Sequence, residues 1–460
     1  MSEYNLPFET YCGKVKVEPT DEPLTPFGGL VPFVAFLKKS GIIERLAQTC
    51  PVVRTSPNAL EVRDIIISYM LTTLFEGKHF SDVNYLRNDA VIPELFKIKR
   101  IAGDDTIRRF FKSLDVQRAS EWINQAGKNM YNVLPEKYIL DWDSTVITRY
   151  GNQELAEVGY NPAKRGRKSH HPLLAIVADT RLCFHYTLRA GNTVSSSDAV
   201  KCMEQALGLV GKDKQPWLNR GDIGFGTDKI MKWHESSSER PDYLFKLKKT
   251  ANVKRAIYSI KDEDWQGCSG YGILQTAERQ LQLSDWDKPR RVVFTRKLVC
   301  KIPAFQEDNL WDIYEHKYDA YITSLPVEHS SSWQIVDLYK ERADCENVFD
   351  EIKNQWGFGG FCAKSKVVTE IAARFLLLSY NLWSLFTRAM SAESHSEAKT
   401  TRRMYLMVAG KKIRTARETL VKIAVPRHRM KKLTEGYKNI HRWLNSTAPQ
   451  LESMSKLMPP

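Results

Sequence analysis

Between residues 137 and 249 the hydrophobic period switches repeatedly, and that order limits the fold more than any other feature of the chain. KYILDWDSTVI, starting at residue 137, reads as a strand. LLAIVADT (173–180) and RLCFHYTLRAG (181–191) read as a hairpin closed near Asp179 and Thr180. SSSDAVKCMEQALGLV (195–210) reads as a crossover helix, QPWLNRGD (215–222) as a strand, TDKIMKWHESS (227–237) as a helix and DYLFKLKK (242–249) as a strand. Three strands that can meander, followed by helix-linked strands, predict an α/β fold with a mixed sheet flanked by helices. A crossover after the third strand places the fourth beside the first.

That is the order of an RNase H-like core. It predicts a first part over 135–250 and a second part over 331–390. Between them, residues 251–330 hold strand-like pieces, ILQTAERQLQL, RRVVFTRKLV and YDAYITSL, and read as a β-rich insertion. Residues 1–125 read as a helical N-terminal region, with helix-turn-helix character at 80–114. There Gly103 turns the chain and Asp104 or Asp105 caps a short helix bearing Arg108, Arg109 and Lys112. The same pattern suits any capped surface helix. Residues 391–460 read as a basic helical C-terminal region. Its stretch 401–435 carries eleven Lys or Arg against two Glu, a candidate DNA or partner surface or a solvated basic face.

The 460 residues carry a net charge of +14 and a pI of about 9.2, a balance that favours a polyanionic partner. The N-terminal MSEYNLPFETYCGK lacks the basic and apolar regions of a secretory signal. IIISYMLTTLF (65–75) and FLLLSYNLWSLF (375–386) are too short to span a bilayer and read as buried helices, so no membrane role is expected. Eight cysteines without a CxxC pair fit a reducing cytosol and give no zinc signature.

Asp141 and Asp143 of LDWDST lie on one face of their strand, two residues apart. Asp143 stands nearer the strand end and is preferred; Asp141 is its rival. Asp222 ends the fourth strand in RGDIGF. If strands one and four are neighbours, Asp143 and Asp222 share a crevice. Glu346 would join them from YKERADCENVFDEIK (339–353). On a continuous helix Tyr339, Arg342, Glu346 and Lys353 fall within roughly 60° of one another, as a polar stripe beside an apolar arc. Three carboxylates from two strands and a helix suit a pair of Mg²⁺ ions, which clamp the attacking and leaving oxygens of an in-line phosphoryl displacement. Within GYNPAKRGRKSHHP (159–172), Lys164, Arg165, Arg167 and Lys168 make a basic loop able to reach DNA phosphates near those carboxylates.

Tyr339-x2-Arg342-x3-Glu346-x6-Lys353 resembles the Y-R-E-K signature of bacterial insertion-sequence DDE transposases of the IS-four-like, or Tn-five-like, group. DxDST around Asp143, GYNPAKRGRKSHHPL, LRAGN (188–192) and RGDIGF around Asp222 are similar to blocks of one branch of that group. The resemblance covers about residues 60–450. It implies an RNase H-like core with the catalytic and metal-holding triad Asp143, Asp222 and Glu346, and two Mg²⁺ ions for which Mn²⁺ substitutes. It places Tyr339, Arg342 and Lys353 on the phosphates of transposon ends. It implies cut-and-paste transposition by a homodimer in a synaptic complex with double-stranded terminal inverted repeats and target DNA, in a bacterial cytoplasm at the nucleoid. An insertion-domain aromatic that stacks a flipped base would be Trp265, Trp286, Trp311 or Trp333, each of which also suits a core. The alternatives are an RNase H-like nuclease without strand transfer and a domesticated DNA-binding regulator.

Overall fold

The computed structural model describes residues 7–267, 274–301, 313–391 and 395–446. Its centre is one nine-stranded mixed sheet. The strands are β1 (Ile139–Ser144), β2 (Leu173–Val177), β3 (Cys183–Thr187), β4 (Leu218–Gly221), β5 (Asp242–Lys246), β6 (Gln266–Gly267), β7 (Leu274–Leu281), β8 (Arg290–Lys301) and β9 (Ile313–Thr323). Their spatial order is β6-β7-β8-β9-β5-β4-β1-β2-β3. β1, β4 and β5 run parallel, β2 is antiparallel to β1, and β3 is antiparallel to β2. Helices α1 (Ala199–Leu207) and α2 (Asp228–Glu235) make the crossovers that set β4 beside β1 and β5 beside β4.

The β-rich segment after β5 does not build a sheet of its own. β9 pairs antiparallel with β5, so β6 to β9 extend the central sheet outward. Alternation along β1 then sorts its side chains. Leu140 and Trp142 enter the main core with the N-terminal helices and the long helix α5 (Lys366–Met390), while Ile139 joins a smaller cluster. Asp141 and Asp143 share that strand phase with Ile139. The smaller cluster, with Leu218, Leu244, Val293, Tyr321, Ile335 and Val336, lies under α3 (Ser332–Lys340).

Three expectations change. The segment 339–353 is not one helix: α3 ends at Lys340 and α4 (Ala343–Gln355) begins after a two-residue break. In a continuous helix the Arg342 N–H would bond the Leu338 carbonyl. Here the Arg342 N–H bonds the Tyr339 carbonyl at 3.1 Å, and the Leu338 carbonyl accepts instead from the Arg220 guanidinium. The C-terminal region is not wholly helical: strands Gly410–Arg414 and Thr419–Ile423 form a hairpin between helices Ala398–Tyr405 and Arg427–Leu444. The N-terminal region also carries strands, at Pro7–Thr10, Gly13–Lys16 and Leu24–Thr25. Leu24–Thr25 pairs with Gly410–Arg414, which ties the two ends of the chain together. Lys39 adds to this by donating to the Trp443, Leu444 and Ser446 carbonyls at 2.7, 3.0 and 3.0 Å, so a cation caps the C-terminus of the last helix.

IIISYMLTTLF and FLLLSYNLWSLF fall in the helices Val62–Leu74 and α5, both largely buried. Among the described residues no helix is long and apolar enough to cross a membrane.

Candidate active site

Register brings the strand-end carboxylates together. Gly221 is the partner of Trp142 and Arg220 that of Asp141, so Asp222 leaves β4 beside Asp143. The Asp222 carboxylate accepts from the Gly224 N–H at 2.9 Å, which closes a tight turn. A Cβ on Gly224 would meet Ser195 Cβ at 2.5 Å, so this close approach requires glycine. Ser195 in turn lies 2.7 Å from Ser144, hydroxyl to hydroxyl, next to Asp143. The turn after β4, the loop before α1 and the end of β1 are thereby held as one unit.

Burial pushes the Asp143 carboxyl up to about 6; the neighbouring Arg342 guanidinium opposes this and the Asp222 charge adds to it. Arg342, 6% exposed, holds an Asp143 oxygen at 2.8 Å and also donates to the Trp142 carbonyl at 3.3 Å. Burial works against the Arg342 charge, but the Asp143 carboxylate more than restores it, and its pKa ends above the usual value. Tyr339 packs its ring 4.8 Å from that of Tyr321, centroid to centroid. Burial raises its phenol to about 12, with Arg342 opposing and Asp222 and Asp143 reinforcing the shift. Lys353 is lowered by burial and partly restored by Asp143.

Asp141 takes a different part. It is 1% exposed and forms a bidentate ion pair with the fully buried Arg220, at 2.7 and 2.9 Å. Both of its oxygens are held by one buried guanidinium, whereas Asp143 takes the Ser144 N–H on one oxygen at 2.7 Å and Arg342 on the other, next to Asp222. Glu346, on the first turn of α4, is exposed and has no partner among the described residues. Among the described residues no three His, Cys, Asp or Glu side chains converge into a metal-holding group. The donor chemistry of Asp143 and Asp222 nevertheless fits a hard divalent cation, because Mg²⁺ binds through one or two carboxylates and completes its shell with water and phosphate. Glu346 is the member of the expected triad that this arrangement does not bring to the other two.

The basic loop follows β1 in the chain, between it and β2. Lys164, Arg165, Arg167 and Lys168 are all exposed, and Gly166 adopts φ +72°. The loop's base is pinned: Asn161 accepts from the Lys164 N–H at 3.0 Å and donates to Thr148, and the Lys168 carbonyl accepts from the Arg149 N–H at 2.8 Å. In the N-terminal region Arg108 is drawn to Asp104 and Asp105 at 2.8 and 2.6 Å, while Arg109 stays exposed. Trp265 and Trp286 are buried beneath Arg296 and Arg290, and Trp333 is half-buried in α3. Trp311 lies outside the described residues.

Sequence reasoning missed Arg220, Tyr321 and His171. Arg220 had a signal: it stands two residues before Asp222, as Asp141 stands two before Asp143, so register makes the two a rung. His171 is buried, donates from Nδ1 to the Thr193 carbonyl at 2.6 Å and feels the Asp222 charge; burial lowers its pKa. Tyr321 shows no signal, because its role depends on β9 joining the central sheet.

Among solved structures, the chain is similar to a piggyBac transposase in its synaptic complex with hairpin DNA. The identity is 12%, the alignment covers 96% of this chain and 88% of that one, and the TM-score is 0.40. No curated protein matches the chain. Residues 11–444, nearly the whole length, match the family described as transposase DDE domain group 1. With two aspartates at adjacent strand ends and a match of that extent, the chain belongs to the DDE transposase family.

Proposed function

We propose that this DDE transposase cuts the ends of a bacterial insertion sequence and joins them to target DNA, on an RNase H-like core of the Y-R-E-K group. The observation that carries the reading is the juxtaposition of Asp143 and Asp222, with Arg342 on Asp143. The sheet order supports the core assignment: β3-β2-β1-β4-β5 with β2 reversed.

Arg342 exchanges its partner during the reaction. Its planar fork suits a phosphate as well as a carboxylate, so an entering DNA backbone competes with Asp143 for it. The exchange frees the Asp143 oxygen. Glu346 lies four residues beyond Arg342, the cap residue of α4, so movement of that helix with its arginine carries the third carboxylate toward the pair. Asp143, Asp222 and Glu346 would hold two divalent cations, Mg²⁺ or Mn²⁺, which would supply Lewis-acid activation of the attacking oxygen and neutralise phosphate charge. Lys353 adds a point charge beside Asp143, and the loop 164–168 holds the backbone nearby. Water first cleaves the phosphodiester at the transposon end, and the freed 3′-OH then attacks a second phosphodiester. A homodimer pairs the two ends for this.

The test is end cleavage. The protein is incubated with a labelled duplex bearing its element's terminal repeat, with Mg²⁺ or EDTA, beside Glu346→Ala. Metal-dependent release of a 3′-OH, lost in the variant, supports the reading, and a joined product separates it from a nuclease. One observation favours a DNA-binding regulator instead: the three carboxylates do not converge among the described residues. Tight binding of paired ends without cleavage under any divalent metal would establish that second reading.

A further inference from the structure

We propose that the cleft between α3 and strands β8 and β9 carries a DNA backbone away from the catalytic carboxylates, with Lys297 and Lys317 cradling its phosphates. The inference rests on the DNA-cleaving reading above and extends the substrate path beyond the reacting phosphate.

The cleft starts where the motif ends. Tyr339 stands three residues before Arg342, which holds Asp143, and its ring packs tilted against that of Tyr321, 4.8 Å between centroids. Beyond Tyr321 a cavity of about 500 Å³ opens, lined by Thr295, Lys297, Lys317, Asp319, Tyr321 and Lys340 among others. Register explains its charge. Val293 pairs with Tyr321, Thr295 with Asp319 and Lys297 with Lys317, so these side chains share one face of the β8–β9 ladder.

Two lysines directly opposite each other repel, and sheets disfavour such pairs. Among the described residues neither Lys297 nor Lys317 has an ion-pair or hydrogen-bond partner. The carboxylate in the cleft does not serve them: Asp319 holds Lys246 at 3.0 Å and Lys249 at 3.5 Å. Lys340 is tethered to Asp337 at 3.4 Å on the rim, and Glu315, two residues from Lys317 on the same strand face, forms no ion pair with either lysine, so the opposed pair has no direct counter-charge among the described residues. An anion between them removes the repulsion. The path from the carboxylates past Tyr339 and Tyr321 favours an anion that repeats along a chain, which a phosphodiester backbone does. From Tyr321 to Lys317 the strand advances about 13 Å, roughly four nucleotide steps along one DNA strand.

The experiment measures binding of terminal-repeat duplexes across a salt series, with the arm on either side of the scissile phosphate shortened stepwise. The proteins are the parent, Lys297→Ala/Lys317→Ala and Lys297→Arg/Lys317→Arg. The expected result is a salt dependence shallower by about 2 log units per log unit in the alanine variant, restored by arginine. The loss appears only when one arm extends beyond the roughly four nucleotides counted from Tyr321 plus the stretch from the scissile phosphate to it, and which arm it is identifies the DNA segment held. The free alanine variant should melt no lower than the parent, because a repulsive pair is gone. If it does melt lower, the single Lys317→Gln carries the same test with about half the change in slope.

An unchanged slope at every length overturns the proposal, as does an equal loss with arms too short to reach the cleft. Loss of self-association with DNA binding intact overturns it in favour of an acidic segment of a second copy. Parent protein that cleaves while the alanine variant keeps its slope sinks this inference alone. Parent protein that neither binds nor cuts DNA sinks the reading beneath it.

Discussion

Asp141 and Arg220 are register partners on adjacent parallel strands and lock in a buried bidentate ion pair, one rung below Asp143 and Asp222. The guanidinium also holds the Leu338 carbonyl, which stops α3 before Arg342 and lets that residue turn toward Asp143. The lower rung is therefore the foundation of the upper one. Removing either partner leaves a charge buried without compensation, so Asp141→Leu and Arg220→Met should each destabilise the protein by about 3–5 kcal/mol. The double variant should cost clearly less than the two singles together, since no orphaned charge remains. Urea unfolding of the three variants measures this. Additive losses would mean that the pair is not coupled.

How far the sequence carried depended on where each feature originates. The order of strands and crossovers was legible because period and turn residues are local, and the chirality of crossovers then fixes β4 beside β1. Asp143 is preferred over Asp141 in the sequence for its place nearer the strand end, a local property, whereas the ion pair that occupies Asp141 needed the partner strand. The break before Arg342 was not legible. YKERADCENVFDEIK has unbroken helical spacing, and the interruption comes from Arg220, a residue more than a hundred positions away that takes the Leu338 carbonyl. The β-hairpin at 410–423 was obscured by its basic residues, which suit a polar helix face as readily as an edge strand, and its pairing with Leu24–Thr25 is long-range.

The loop of Lys164, Arg165, Arg167 and Lys168 separates charge from stability. All four side chains are exposed, and its base is held by Asn161 and by backbone bonds. Replacing all four with Ala should leave the melting temperature nearly unchanged, a stability change of about 0.5 kcal/mol or less. Binding to a terminal-repeat duplex should weaken steeply, with the salt dependence shallower by up to about 3.6 log units per log unit. Filter binding at several salt concentrations checks both size and slope. Full affinity at low salt with an unaltered slope would remove the loop from the DNA path.

Lys353→Ala should act more weakly and at one point. The ammonium is half-buried beside Asp143 and Asp350, so its removal costs both a phosphate contact and part of the balance against Asp143. The expected change in salt dependence is about 1 log unit per log unit, with weaker end binding over all sequences. Lys353→Arg should recover most of the slope. If Lys353→Ala leaves the slope intact but slows end cleavage, the residue supports Asp143 rather than phosphate.

Acid should unfold this protein partly through His234. The ring is 4% exposed, its Nδ1 donates to the Pro241 carbonyl at 2.8 Å, and its Nε2 is buried without a partner among the described residues. A second proton would have nowhere to bond, and burial lowers the pKa from 6.5 to about 4, against the smaller upward pull of Pro241. The unfolded chain therefore takes up a proton that the folded chain refuses. Stability from this group is complete above the unfolded value of 6.5 and is lost as pH falls toward about 4. The loss approaches about 1.4 kcal/mol per pH unit inside that window. His234→Gln cannot titrate, so its unfolding free energy should decline less over the same interval, whatever its value at neutral pH. Urea midpoints taken through the window compare the two slopes, and parallel declines would show that His234 is protonated in the folded protein.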